Sequence, residues 1–215
     1  MTMTTTAAVV TPQTRADAVL LNGRFRLDRR VAVAGTTGEV SLWRATDLLL
    51  GRPVSVHLLP AWAAIPAGLP ESVQAAARVN DVRFTAIYDA CYDVDCPNLV
   101  TEWPAGQSLR DLLRTGLPSP ALAAHIVAEA ASAVAGAHEQ GRPHLCLDLR
   151  SLYWGRSGVK ITGLGIDAAL TQRETADHGA DATALARILY VLLTGRPLTG
   201  EDTALPEPRH LSSGV

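Results

Sequence analysis

His144, Cys146 and Asp148 alternate through one short stretch, and together they supply an acid–base group, a nucleophile and a carboxylate. Joined by hydrogen bonds, such side chains are the makings of a cysteine hydrolase, in which imidazole takes the thiol proton. The spacing argues against it. On an extended segment, side chains two residues apart start about 6.6 Å from each other, beyond direct hydrogen-bond reach. His144 reads better as a core histidine bonded to backbone. Cys91, Cys96 and Cys146 contain no Cys-x-x-Cys pair and have no histidine cluster beside them, so no metal centre is expected. Their odd number and the lack of a secretory signal point to a reducing compartment, with Cys91 and Cys96 as reduced packing residues. His125 and His138, on a helix, read as ordinary surface residues.

The elements that must position these residues change character near residue 104. Before it, Phe25 to Val33, Val40 to Trp43 and Pro53 to Leu59 carry strand patterns. A short helix over Pro70 to Val79 follows, then a hairpin of Phe84 to Val94 and Asn98 to Trp103. After it the period becomes helical. Leu109, Leu112 and Leu113 mark a short helix ended by Gly116, and a long one runs from Pro120 to Gln140 with Leu122, Ile126, Ala130, Ala133 and Ala137 on one face. A β-rich region reaches Leu170, and Asp181 to Thr194 is a last helix stopped by Gly195. Strands followed by helices predict an α+β protein. The expected organisation is a leader over 1–19 without order, a β-rich lobe over 20–103, a mainly helical lobe over 104–200 and a flexible tail over 201–215.

Several motifs resemble the protein kinase family over about residues 22 to 200. His144-Leu145-Cys146-Leu147-Asp148-Leu149-Arg150-Ser151, with Gly163-Leu164-Gly165 beyond a short β-hairpin, is similar to the family's catalytic loop and Asp-Phe-Gly segment. Leu50-Gly51-Arg52-Pro53-Val54-Ser55-Val56-His57 resembles the third strand, Leu99 to Trp103 the hinge with Thr101 at the gatekeeper position, and Asp181 to Pro197 the central helix of the large lobe. The resemblance implies a bilobal kinase-like fold whose large lobe is incomplete at its C-terminal end. It also implies a nucleotide pocket, of which Gly35, Gly38, Val40, Ser55, Thr101, Glu102, Trp103 and Tyr153 are the remnants.

The same alignment puts the wrong chemistry at the reactive positions. His57 stands at the phosphate-binding lysine, Ser72 at the helix glutamate, Cys146 at the catalytic aspartate, Asp148 at the loop lysine, Ser151 at the asparagine and Gly163 at the metal-binding aspartate. Phosphoryl transfer needs fixed positive charge, a metal on the phosphates and a positioned nucleophile. Imidazole is mostly neutral at pH 7, with an ordinary pKa of about 6.5. Lys160, the only lysine in the chain, lies in the other lobe. Tyr153 could fill the space of the adenine. Only about ten residues, Thr171 to Ala180, take the place of an activation segment. The expectation is therefore a catalytically inactive pseudokinase, not an enzyme, binding neither cofactor nor metal. The alternative is a residual or unconventional ATP-dependent serine/threonine protein kinase using Arg44, Arg52 or Arg150 as its cation.

Leu42 to Asp47, Val54 to Pro60 and Gly163 to Leu170 further resemble actinobacterial pseudokinases associated with the lipid II flippase of peptidoglycan synthesis. That resemblance implies a cytoplasmic regulatory or scaffolding module that can be phosphorylated by an active serine/threonine kinase. The partner implied is a forkhead-associated-domain protein or a cell-wall synthesis component. A net charge of −2 gives no case for nucleic acid, and no run of eighteen apolar residues suggests a membrane span.

Overall fold

The computed structural model describes residues 20–34, 40–60, 65–93, 96–173 and 179–196, so the expected leader, the tail, Gly35 and Gly38 lie outside the described residues. The chain divides into two compact units. One takes residues up to Ile65 with Ile87–Trp103, and the other takes Pro66–Ala86 with everything from Pro104 onward. The architecture is α+β, as the pattern predicts.

The first unit is one antiparallel sheet ordered β1-β2-β3-β4-β6-β5. Its strands are β1 (Leu20–Leu21), β2 (Phe25–Ala34), β3 (Val40–Asp47), β4 (Arg52–Leu58), β5 (Ile87–Cys91) and β6 (Asn98–Glu102). Side chains alternate between faces along a strand. Leu21, Phe25, Leu27, Ala45, Val54, Val56 and Val100 accordingly form a core on one side, with Trp43 packed against it. Asp47 explains why an aspartate ends the third strand. It is fully buried, accepts from the amides of Leu49 and Leu50 in the β3–β4 turn, and takes a two-pronged bond from Arg24 at 2.9 and 2.7 Å. That guanidinium holds the carboxyl down to about 2.

The second unit is mainly helical: α1 (Leu69–Ala76), α2 (Leu109–Thr115), α3 (Pro120–Glu139), α4 (Asp167–Leu170) and α5 (Ala180–Thr194). A small sheet of β7 (Gln107–Ser108), β8 (Leu152–Gly155) and β9 (Gly158–Ile161) completes it. Ser108 and Ser119 cap α2 and α3, their hydroxyls accepting from the amides of Asp111 and Leu122. Gly195, at φ 71°, ends α5 in a left-handed conformation that costs glycine little. Ala123, Ile126, Ala130, Ala133 and Ala137 of α3 are all 1% exposed or less. By length and apolar composition α3 could cross a membrane, and it is the only such helix among the described residues; its buried face packs on α5 and β9.

Residues 66–86 group with this second unit, whereas the sequence places the first helix in the first lobe. The physical reason is a set of backbone ties. Thr85 N–H donates to the Ile161 carbonyl at 2.9 Å and Ile161 N–H to the Arg83 carbonyl at 2.7 Å, so Phe84 bridges β9. The Arg83 guanidinium also reaches the Glu129 carbonyl of α3 at 3.0 Å. The strand expected from Phe84 consequently begins only at Ile87.

Candidate functional site

In the first unit, register collects most of the expected pocket residues on one face of the sheet. Ser55 pairs with Arg44 and Thr101, and His57 with Leu42 and Leu99. Directly opposed residues share a face, so Val40, Arg44, Ser55, His57 and Thr101 stand together, opposite the core. Glu102 alternates to the other face, although its carbonyl accepts from the Ser55 hydroxyl at 3.4 Å. Trp103 follows the strand, with the Arg44 guanidinium 5.2 Å over its ring. Burial holds His57 down at about 4, so the imidazole is neutral at pH 7. Arg44 is then a cation on this face, with Arg29 paired directly opposite it on β2. Arg52 is spent elsewhere, 3.6 Å over the Tyr88 ring.

In the second unit, a buried carboxylate organises the loop that carries Cys146 and Asp148. Asp181, at the start of α5 and 1% exposed, accepts from the backbone N–H groups of His144 and Leu145, both at 2.7 Å. It also meets the His138 ring nitrogen at 2.7 Å. Leu145 adopts φ 64°, a left-handed conformation costing a non-glycine residue about 1–2 kcal/mol. Asp181 holds its amide, and the Arg173 guanidinium holds its carbonyl at 2.9 Å. His138 is thus part of the loop's support, and the expectation of an ordinary surface residue was wrong for it. His144 is fully buried, with its ring 2.8 Å from the Thr162 carbonyl, as expected.

No hydrolase triad forms. The Cys146 thiol contacts the Thr171 hydroxyl at 3.6 Å, and burial pushes the thiol pKa up, away from the reactive thiolate. Asp148 and Ser151 close a turn on each other. The carboxylate accepts from the amides of Arg150 and Ser151 and from the Arg150 guanidinium, while the Ser151 hydroxyl bridges the Asp148 amide and carbonyl. Tyr153 is half-buried on β8, its phenol pKa raised by burial and then by Asp111 and Asp148. Ser72 lends its backbone carbonyl to a close approach: a side chain at Gly165 would come within 2.6 Å of it and of the Ala76 methyl. Glycine at 165 lets the loop lie against α1.

Asp167 is the site residue that sequence reasoning missed. Gly163 has φ 90°, and any side chain there would collide with the Asp167 carboxylate. The Asp167 amide donates to the Gly163 carbonyl at 2.9 Å, closing the turn that folds the side chain back. A carboxylate therefore occupies the space next to Gly163 after all, delivered from four residues later. That i, i+4 spacing was its one visible signal. Burial raises Asp167 to about 7, Asp148 pushes the same way, and Arg150 opposes.

Nucleotide-bound Mg²⁺ needs only one or two protein carboxylates, the phosphates and water supplying the rest. Asp167 fits such a partial donor set. Among the described residues no three potential ligands cluster into a self-sufficient metal site. His57 does not fit a phosphate-binding cation.

No protein-family profile matches the chain. Among curated proteins it is similar to a probable serine/threonine-protein kinase of Streptomyces coelicolor, 30% identical over 213 residues, covering 82% of this chain and 31% of that one. The serine/threonine-protein kinase PknL of Mycobacterium tuberculosis is 27% identical over 219 residues, covering 88% of this chain and 54% of its own. A probable serine/threonine-protein kinase of Corynebacterium efficiens is 28% identical over 200 residues, covering 77% and 30%. The chain thus spans about a third to a half of the length of these relatives. Their names correct the expectation that the chain is not an enzyme: relatives named as serine/threonine-protein kinases suggest a protein kinase. Similarity to bacterial serine/threonine protein kinases and the α+β architecture together support a place for this chain in the protein kinase-like superfamily.

Proposed function

We propose that the chain acts in serine/threonine phosphorylation as an unconventional ATP-dependent kinase-family protein, with Asp167 in the role that position 163 gives up. The observation that carries this reading is the Asp167 carboxylate lying where a side chain on Gly163 would stand. In the reading, Asp167 would be the residue that holds a nucleotide's Mg²⁺, an ion that would supply neutralising charge to the phosphates. Asp148, tied down by Arg150, keeps its negative charge partly balanced.

The test is transfer of radiolabelled phosphate from ATP to a generic protein acceptor and to the chain itself, with Mg²⁺ or Mn²⁺. Metal-dependent transfer that Asp167→Asn removes is expected. Absence of transfer from the wild type, or transfer indifferent to that substitution, overturns the reading.

A second reading is favoured by neutral His57 and by the three flippase-type motifs: a cytoplasmic regulatory or scaffolding module in the control of peptidoglycan synthesis. Its partner would be a forkhead-associated-domain protein or a cell-wall synthesis component, recruited after phosphorylation of this chain by an active kinase. A pull-down with and without prior phosphorylation tests it; capture independent of phosphorylation counts against it.

A further inference from the structure

The second unit carries a groove of about 800 Å³ that runs from the loop of Leu145 to Arg150 out to α2 and α5. Its volume lies within the range of pockets that hold small ligands or side chains, roughly 300–1,000 Å³. Four arginines line it: Arg110, Arg150, Arg173 and Arg187. The one acidic lining residue is Asp148, so four positive and one negative group leave a formal charge of +3 at the groove. The whole chain carries −2, so this concentration of charge is local and not a by-product of composition.

Two of the arginines already have work. Arg150 pairs with Asp148 at 2.9 Å, and Arg173 donates to the Leu145 carbonyl at 2.9 Å. Arg110 and Arg187 are exposed and form no ion pair with any described residue. Between the guanidinium groups Leu147 and Ile188 supply apolar lining, beside Thr183. A planar guanidinium presents paired N–H donors that match phosphate oxygens, and a phosphorylated hydroxyl side chain brings close to two negative charges.

From charge complementarity we infer that this groove binds a phosphoserine- or phosphothreonine-containing peptide segment, the phosphate held by Arg110 and Arg187 and the flanking apolar side chains seated on the leucine and isoleucine floor. Nucleic acid fits less well, because no aromatic side chain lines the groove to stack a base. The phosphate contacts at Arg110 and Arg187 use neither Asp167 nor Arg44, and the groove shares only Asp148 and Arg150 with the phosphoryl-transfer reading.

The experiment uses the full chain and two immobilised degenerate peptide libraries, identical except that one carries a fixed phosphothreonine and the other threonine. At physiological salt the wild type is expected to prefer the phosphorylated library by at least about tenfold, the scale of one good charge-assisted contact. Free phosphothreonine should compete. Arg110→Glu with Arg187→Glu should abolish the preference, and Arg110→Gln with Arg187→Gln should reduce it. Both side chains are exposed, so unchanged thermal melting verifies folding. Asp167→Asn should bind as the wild type does. Equal retention on the two libraries overturns the proposal, as does full retention by the doubly reversed variant. Binding to anionic lipid vesicles without any preference for the phosphorylated library overturns it as well.

Discussion

Replacing Asp181 by alanine should loosen the loop that carries Cys146 and Asp148 more than any nearby change. The carboxylate accepts three hydrogen bonds at 2.7 Å, from the His144 and Leu145 amides and the His138 ring. His138 is 27% exposed and can turn to water, but the two amides belong to residues no more than 5% exposed. A buried donor left without a partner costs about 1–3 kcal/mol. Two of them give roughly 2–6 kcal/mol, offset in part because a buried carboxylate is no longer desolvated. A loss of about 3 kcal/mol corresponds to a Tm lower by roughly 6–12 °C for a chain of this size. Leu145, no longer held at both ends, should relax from its left-handed conformation. Urea denaturation gives the stability, and hydrogen exchange at residues 144 and 145 shows whether the loss is local. Asp181→Asn, which keeps one acceptor oxygen, should fall between alanine and the wild type. An alanine variant within about 1 kcal/mol of the wild type, with both amides still protected, would refute the reasoning.

Asp167 should make stability fall as pH rises. Its folded pKa, about 7, lies above the ordinary carboxyl value, so the folded state holds the proton more tightly and stability declines between about pH 4 and pH 7. Asp167→Asn should match the wild type near pH 4 and exceed it at pH 8 by roughly 2–4 kcal/mol, read from paired urea melts; a constant difference across pH counts against the assignment. His57 has the opposite sense. Its folded pKa is depressed to about 4, so its contribution is full above the unfolded value near 6.5 and is lost as pH falls toward 4. His57→Gln should flatten the acid limb of the wild-type stability curve, and an unchanged limb would sink that prediction. Gly165→Ala adds a methyl within 2.6 Å of Ala76 and Ser72 at φ 70°, and should cost about 2–4 kcal/mol. Gly141→Ala, at φ 68° with open space around it, should cost only about 1 kcal/mol, so thermal melts of the pair separate contact from backbone strain.

Local periodicity by itself determined the longer elements, while β1, β7 and the short helix α4, inside a stretch that reads as β-rich, were not legible. The repeat of Ile126, Ala130, Ala133 and Ala137 marks α3, and the stop at Gly195 ends α5. These are decided by neighbours within a turn or a strand, where spacing alone says which side chains share a face. The substitutions at His57, Cys146 and Gly163 were equally plain, because they are properties of single positions. What they mean was not. Asp181 meets the loop across 36 and 37 residues of chain, and no periodicity announces that acceptor. Arg110, Arg150, Arg173 and Arg187 come from a helix, a loop, a segment beyond α4 and a second helix, and become one positive rim only once those are packed together. Tertiary structure also returned a carboxylate to the side of Gly163, through a turn that brings Asp167 back over the glycine. Residue type is a fact of the chain, but the field and the space around it belong to the fold, because both depend on groups far away in sequence.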